Sequence, residues 1–347
     1  MLVRRGTEPW TRLDARGNPH FVHTPTTALA SDRISAGATD TGLRRRENED
    51  VVLVRDDLGL YAVADGAGGH DAGDVAAESA VRSLVAGIAS ADELPPASTA
   101  ALNRLGIDPE ARALSAAFHR AHRDVVAIAR VSQSAKGMGS TLVAALFSER
   151  EPLVHIAHVG DSRCYRLRGG HLELLTVDHS IASDVLEKRP ELDDAVLARL
   201  PKSVVTRALG MGQSLHASVQ TKAVVAGDRY LLCSDGLSGP VSSQGIADAL
   251  KSAATPDDAV RELIARANAA GGPDNIACVV VDCPGGADHA LPVDRTSNTI
   301  VDDPSVRSSD PELLIMGIEE LDLSGPPDRV GDDLIRALDT VVGKHSK

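Results

Sequence analysis

Residues 61–81 read "YAVADGAGGHDAGDVAAESAV": an apolar run, an acid, a cluster of glycines, then a helical pattern. A strand that ends on Asp65-Gly66 is, taken alone, a turn, because Gly accepts positive φ and Asp bonds its own backbone. The reading changes because the chain repeats the device. "DRYLLCSDGL" (228–237) ends a second apolar strand on Asp235-Gly236, and "AHVGDSR" (157–163) ends a third on Asp161. Other acids stand just before strands: Asp274 in "GGPDNIACVVV" (271–281), and Glu49 with Asp50 in "ENEDVVLV" (47–54).

Working outward, "VVLV" (51–54) and "LYAVA" (60–64) are separated by the short polar "RDDLG", which predicts a hairpin. The start of its first strand then lies beside the end of its second, so Glu49 and Asp50 fall near Asp65. A helix is expected over 74–88, with Val75, Val81, Leu84, Val85 and Ile88 on its apolar side. A second, over 109–130, has Leu114, Phe118, Ala121, Val125 and Ile128 at helical spacing. Strands follow at 140–147, 153–159 and 164–168, then a polar, partly helical stretch at 180–203 and strands at 217–225 and 229–234. Helices near 244–253 and 257–270 precede a last strand at 276–283. If that strand runs antiparallel to 229–234, Asp274 reaches the same edge as Asp235. Strands in runs, broken by pairs of helices, predict antiparallel sheets with helices packed outside them, an α+β fold.

Within the 347 residues these patterns occupy 33–284. Residues 1–32, rich in Pro, Thr and Arg, read as a loose arm. Residues 285–347 carry thirteen acids against six bases and read as a disordered acidic tail with short apolar islands. The net charge of -13 argues against nucleic-acid binding, which needs clustered Lys and Arg. No apolar run is long enough to span a bilayer and no signal-peptide core is present, so a soluble, cytoplasmic chain without membrane contact is expected. The four cysteines, Cys164, Cys233, Cys278 and Cys283, lack CxxC spacing, and three sit in or beside strand-like runs, where a reduced Cys packs as a small hydrophobe. His155 and His158, three apart on a strand, face opposite ways and cannot share a metal. His119 and His122 read as a solvated helix edge.

Carboxylates gathered at one edge repel one another, and burial adds a desolvation cost, so the cluster needs cations within it. The donors are all oxygens, which selects hard ions such as Mg²⁺ or Mn²⁺ over zinc. Gly66 and Gly236 allow tight turns and leave room for a carbonyl to coordinate. Two such ions roughly 3.5–4 Å apart lower the pKa of a shared water and clamp an in-line displacement at phosphorus. Among Arg44, Arg45 and Arg46, one planar guanidinium suits bidentate phosphate binding, and the others read as solvated.

In order along the chain, "TDTGLRRRENED", "YAVADGAGGHDAGDVAA", "GMGSTLVAAL", "HVGDSRCYRLRGGHLELLTVDHS", "VVTRALG", "DRYLLCSDGL" and "GGPDNIACVVV" resemble the metal-dependent serine/threonine protein phosphatases of the PP2C type, in their bacterial form. The resemblance covers about 35–283 and implies two antiparallel sheets packed as a sandwich and flanked by helix pairs. It implies that Asp65 bridges two Mn²⁺ or Mg²⁺ ions and that the Gly66 carbonyl binds one of them. Asp235 and Asp274 complete the direct ligands, and Glu49 and Asp50 act directly or through waters. Arg45 matches the phosphate-binding arginine, and Asp161 a position that helps hold a weaker third ion. Residues 178–203 correspond to a mobile flap beside the site. The departure is Ala67: several relatives carry there a His proposed as general acid, and Ala cannot donate a proton. A water then protonates the leaving group, or His70 reaches in.

The resemblance implies hydrolysis of phosphoserine and phosphothreonine on phosphorylated proteins, opposing a cognate Ser/Thr kinase. A regulatory binding module without turnover, and a partner-switching phosphatase with one dedicated phosphoserine substrate, are the alternatives. In the tail, Thr299, Ile300, Val301 and Asp302 have the Thr-x-x-acid form favoured by phosphothreonine-binding domains, so a modified Thr299 could dock a protein partner or occupy the domain's own site. A merely solubilising tail is the plainer reading.

Overall fold

Strand β4 (Asp50–Arg55) and strand β5 (Leu60–Ala67) are apolar along nearly their whole length, and both faces of each are buried. Successive side chains alternate across a strand. Val51, Leu53, Leu60, Ala62 and Ala64 therefore pack into a core beneath helices, while Val52, Val54, Tyr61 and Val63 pack into a second core between two sheets. The computed structural model describes residues 2–3, 11–12, 33–68, 72–90, 108–132, 135–190, 192, 200, 204–284 and 298–300.

Among them are β1 (Leu2–Val3), β2 (Thr11–Arg12), β3 (Ile34–Asp40), β6 (Gly139–Ser140), β7 (Leu142–Phe147), β8 (Leu153–Val159), β9 (Arg163–Arg168), β10 (His171–Leu174), β11 (Ser218–Ala223), β12 (Asp228–Cys233), β13 (Ile276–Cys283) and β14 (Asn298–Ile300). One sheet has the order β14-β11-β8-β7-β5-β4, with β6 beside β5; the other has β10-β9-β12-β13-β3. Neighbours in both sheets are antiparallel. Helices α1 (Gly73–Ala89) and α2 (Pro109–Val131) cover the first sheet. Helices α4 (Asp235–Ser238), α5 (Ser243–Ser252) and α6 (Pro256–Ala269) cover the second. Helix α3 (Ile181–Lys188) follows β10. The expected sandwich of two antiparallel sheets between helical layers is the observed fold.

At its centre Phe147 meets Tyr61 and Tyr230 edge-on, with ring centroids 5.7 and 5.3 Å away. Such geometry adds about 0.5–1.5 kcal/mol per pair beyond area burial. Apart from Phe118 and Tyr165 the remaining core is built from non-aromatic side chains, and all four cysteines are free and buried within it. Burial pushes the thiols of Cys233 and Cys283 up to about 12.

Several details differ from expectation. Val75 is 41% exposed, and α1 packs instead through Ala76, Ala77, Ala80, Val81 and Leu84. Small residues let the helices approach closely: a Cβ on Gly87 would stand 2.6 Å from that of Ala117 on α2. Strand β3 is missed because its buried residues are small or polar, Ser35, Ala36, Gly37, Ala38 and Thr39; Gly37 fits under Val54 and Val279. His122 is buried rather than solvated, and its Nδ1 accepts from Gly210 N at 3.3 Å. Burial lowers its pKa to about 4, so the ring is neutral. Within the expected tail, 298–300 pair with β11, and within the expected arm β1 pairs with β2. The rest of both segments, the apolar islands near the C-terminus included, lies outside the described residues. Among the described residues no helix is long and apolar enough to cross a membrane.

Candidate metal centre

The β4–β5 hairpin sets Asp50 directly opposite Asp65. In the other sheet Cys233 pairs with Cys278, so Asp235, just past β12, and Asp274, just before β13, leave at one end. The two pairs belong to different sheets and meet across the sandwich. Ser234 makes the join: its Oγ donates to Asp50 Oδ2 at 2.7 Å and accepts from Ala277 N at 2.9 Å.

Loop 41–49 is held against this edge by Asn275. Its Oδ1 accepts from Glu49 N at 2.9 Å, and its Nδ2 donates to Thr41 O and Glu47 O at 2.9 and 2.8 Å. Glu49 in turn serves α1. The N-cap residue Ala72 offers no side-chain cap, and the Glu49 carboxylate accepts from the Gly73 backbone at the positive end of the helix. A Cβ on Gly73 would collide with that carboxylate, and one on Gly66 with the Gly73 and Glu49 carbonyl oxygens. Glycine is required at Gly66 by the close approach of α1 to the strand end, and a side chain at Gly73 would displace the Glu49 carboxylate. On the other flank Thr141 N donates to Asp65 O at 2.8 Å, and Thr141 Oγ1 accepts from Asp65 N at 3.1 Å.

The electrostatics are those of crowded acids whose charge Arg45, paired with Asp274, offsets only in part. Burial, with Asp235 and Asp274 nearby, pushes the Asp50 carboxyl up to about 8 despite its bond from Ser234. Asp65 keeps part of its surface open to solvent, yet burial of its carboxyl and the charges of Asp50, Asp235 and Asp161 hold it well above the ordinary range. Asp235 is raised by burial and by Asp274, and Glu49 chiefly by burial. Asp161 is raised to about 7 by burial and by Asp235. One oxygen of Asp50, Oδ1, is buried with no hydrogen-bond partner. An orphaned carboxylate oxygen among mutually repelling acids is what a divalent cation relieves, and an all-oxygen donor set suits a hard one. The residues therefore fit Mn²⁺ or Mg²⁺.

Arg45 reaches the same edge, donating Nη2 to Asp274 Oδ2 at 2.7 Å with half its side chain exposed; Arg44 and Arg46 are exposed as well. Around Asp161 the chain is pinned at the root of the expected flap. His179 N donates to Gly160 O at 2.9 Å, and Arg163 makes a two-pronged pair with Asp178 at 2.9 and 2.7 Å. Helix α3 occupies the first part of that segment, and most of 191–203 lies outside the described residues. Ala67 is exposed beside the site, and His70 is outside the described residues. Reading the sequence for acids alone misses Ser234, Asn275 and Thr141. The signal that could have found two of them is position: Ser234 and Asn275 stand next to Asp235 and Asp274.

A sandwich of these layers carrying these acids at one edge defines a class, and the chain belongs to it: residues 44–280 match the Protein phosphatase 2C family. Over 247 residues, 71% of this chain, it is 36% identical to the serine/threonine protein phosphatase PstP of Mycobacterium tuberculosis (strain H37Rv), spanning only 44% of that protein's length. It is 34% identical to the serine/threonine phosphatase stp of Listeria monocytogenes (strain EGD-e) over 70% of this chain and 93% of the relative. The solved catalytic domain of PstP in complex with two manganese ions is similar at 34% identity and TM-score 0.60, covering 73% of this chain and 99% of that one.

Proposed function

We propose that this chain hydrolyses phosphoserine and phosphothreonine on proteins at a dinuclear Mn²⁺ or Mg²⁺ centre. The observation that carries the reading is the meeting of Asp50 and Asp65 from one sheet with Asp235 and Asp274 from the other, around an unpartnered Asp50 oxygen. Asp65, Asp235, Asp274 and the Gly66 carbonyl would hold the ions, with Glu49 and Asp50 ligating directly or through waters and Asp161 serving a weaker third. When bound, the pair supplies a water acidic enough to act as nucleophile near neutral pH and offsets charge at phosphorus.

The chain's own residues do the rest. Arg45 is an exposed cation whose ion pair with Asp274 is worth only about 0–1 kcal/mol, so a phosphate readily takes its place. Its planar fork then fixes the phosphoryl group for in-line attack. Ser234 and Asn275 hold Asp50 and the Glu49 loop in position. Ala67 leaves protonation of the departing serine or threonine oxygen to solvent. We place catalysis in 33–284, with a cognate Ser/Thr kinase supplying the phosphoproteins. The disulfide-free cysteines suit the reducing cytoplasm. A tail-borne Thr299 remains a candidate dock for a protein partner.

Release of phosphate from a phosphothreonine peptide tests this, with metal-stripped protein and then with Mn²⁺ or Mg²⁺ restored. Turnover is expected only with metal, and Asp235→Asn should lower it by at least about a hundredfold, on the scale of lost electrostatic stabilisation. Folded wild-type protein that binds the ions and releases no phosphate would favour a binding module instead.

A further inference from the structure

Asp108 and Glu110 open helix α2, and His155 lies on the face of β8 turned toward them. His155 pairs with Leu146, and Leu146 with Leu60, which is five residues before Asp65. The group therefore sits about 16 Å along the sheet from the acid edge, at roughly 3.3 Å per residue. His155 is 0% exposed, whereas Asp108 and Glu110 are about one-third exposed at 32% and 30%. Its Nε2 stands 3.4 Å from both Asp108 Oδ1 and Glu110 Oε2 but closes a hydrogen bond with neither. Across the ring, Nδ1 lies 2.9 Å from Thr221 Oγ1 on the neighbouring strand.

Ordinary helix-start chemistry explains part of this. Asp108 Oδ1 caps α2, accepting from Glu110 N at 2.7 Å and Ala111 N at 3.4 Å, and Glu110 is a first-turn acid. It does not explain a wholly buried imidazole nitrogen aimed at both carboxylates. If Nδ1 carries the proton toward Thr221, Nε2 presents a lone pair to two anions. Such an arrangement is repulsive unless a cation lies among the three. A proton on Nε2, shared between the two carboxylates, would also hold the three groups together, and folded wild type without tetrahedral Co²⁺ bands would point to it.

The two distances from Nε2 fit a tetrahedral ion. Ligands about 2.0–2.1 Å from a tetrahedral centre stand about 3.3–3.4 Å apart, whereas octahedral neighbours at that bond length stand nearer 2.9 Å. One atom from each residue can be chosen with all of them within 4.8 Å of one another. A nitrogen donor with two carboxylates, unlike the all-oxygen edge, favours zinc over magnesium. We propose that Asp108, Glu110 and His155 form a separate metal site that binds one Zn²⁺, leaves its fourth position to solvent, and pins the start of α2 to β8. Thr221 fixes the ring so that Nε2 is the ligating atom.

The test uses the full chain, stripped of metal and kept in excess Mg²⁺ to occupy the oxygen centre. Zn²⁺ binding is measured by equilibrium dialysis, and Co²⁺ serves as the spectroscopic probe. Wild type should take up Co²⁺ with the intense visible bands of a tetrahedral ion, and Zn²⁺ should raise its melting temperature by several degrees. Glu110→Gln, at a half-buried position, and Asp108→Asn, which keeps a capping side chain, should each lose the bands and weaken Zn²⁺ about tenfold or more. Tetrahedral bands unchanged in both folded variants, or absent from folded wild type, would overturn the site.

Discussion

Asp50 has one carboxylate oxygen on Ser234 and the other unpartnered, so the hydroxyl decides which way the free oxygen points. Ser234→Ala removes a bond to a charged group, worth about 1.5–3 kcal/mol, without touching any acid. The expected result is an Mn²⁺ activation curve shifted about ten- to hundredfold to higher concentration, with turnover at saturating metal largely kept. A curve that does not move would show that Ser234 orients nothing. The acids themselves predict a pH effect in metal-stripped protein. Asp50 rises from the ordinary 3.8 to about 8 and Asp161 to about 7, so between these values the folded chain holds protons that the unfolded chain has lost. Stability is then highest below pH of about 4 as far as these groups are concerned, and falls as pH climbs toward 8. Thermal melts of stripped protein should show that decline, and Mn²⁺ should flatten it. A stripped protein whose melting point rises across that window would contradict the acid cluster.

At the scale of elements, the joint between β5 and α1 carries the most constraint. Gly66→Ala would drive a methyl into the Gly73 and Glu49 carbonyl oxygens. We expect a loss of about 3 kcal/mol, read by chemical denaturation, together with loss of metal-dependent turnover. An active, fully stable variant would mean that α1 can move away without harm. The same joint shows what was readable from sequence. The Asp-Gly repeats and the hairpin logic correctly placed Asp50 beside Asp65 and brought Asp274 to the edge of Asp235, because alternation and antiparallel pairing are local rules. Strand β3 was not readable, since its small residues owe their burial to a neighbour far away in sequence. Nor was the capping of α1 by Glu49, which crosses from one element to another. Val75 misled because a valine at helical spacing outweighs alanine in any reading by hydrophobicity, while close helix packing prefers the alanine.

For the whole molecule, the sheet edge at β11 is covered by β14, a strand of three residues. An uncovered edge is a template for pairing with another chain. Proteins ending at 284 and at 300 are both expected to keep metal-dependent phosphate release. The shorter form should scatter more light on concentration. Turnover lost on trimming to 284 would place part of the catalytic unit in the tail.

The acids of the centre are divided between the two sheets, Asp50 and Asp65 on one and Asp235 and Asp274 on the other. Any sliding of one layer over the other changes the shape of the ring of oxygens. If these acids hold the proposed ions, occupancy and interlayer slip would be thermodynamically linked: filled, the centre would act as a rivet against shear. A core substitution that loosens the layers far from the edge should first be felt as a weaker grip on metal, before the fold itself gives way.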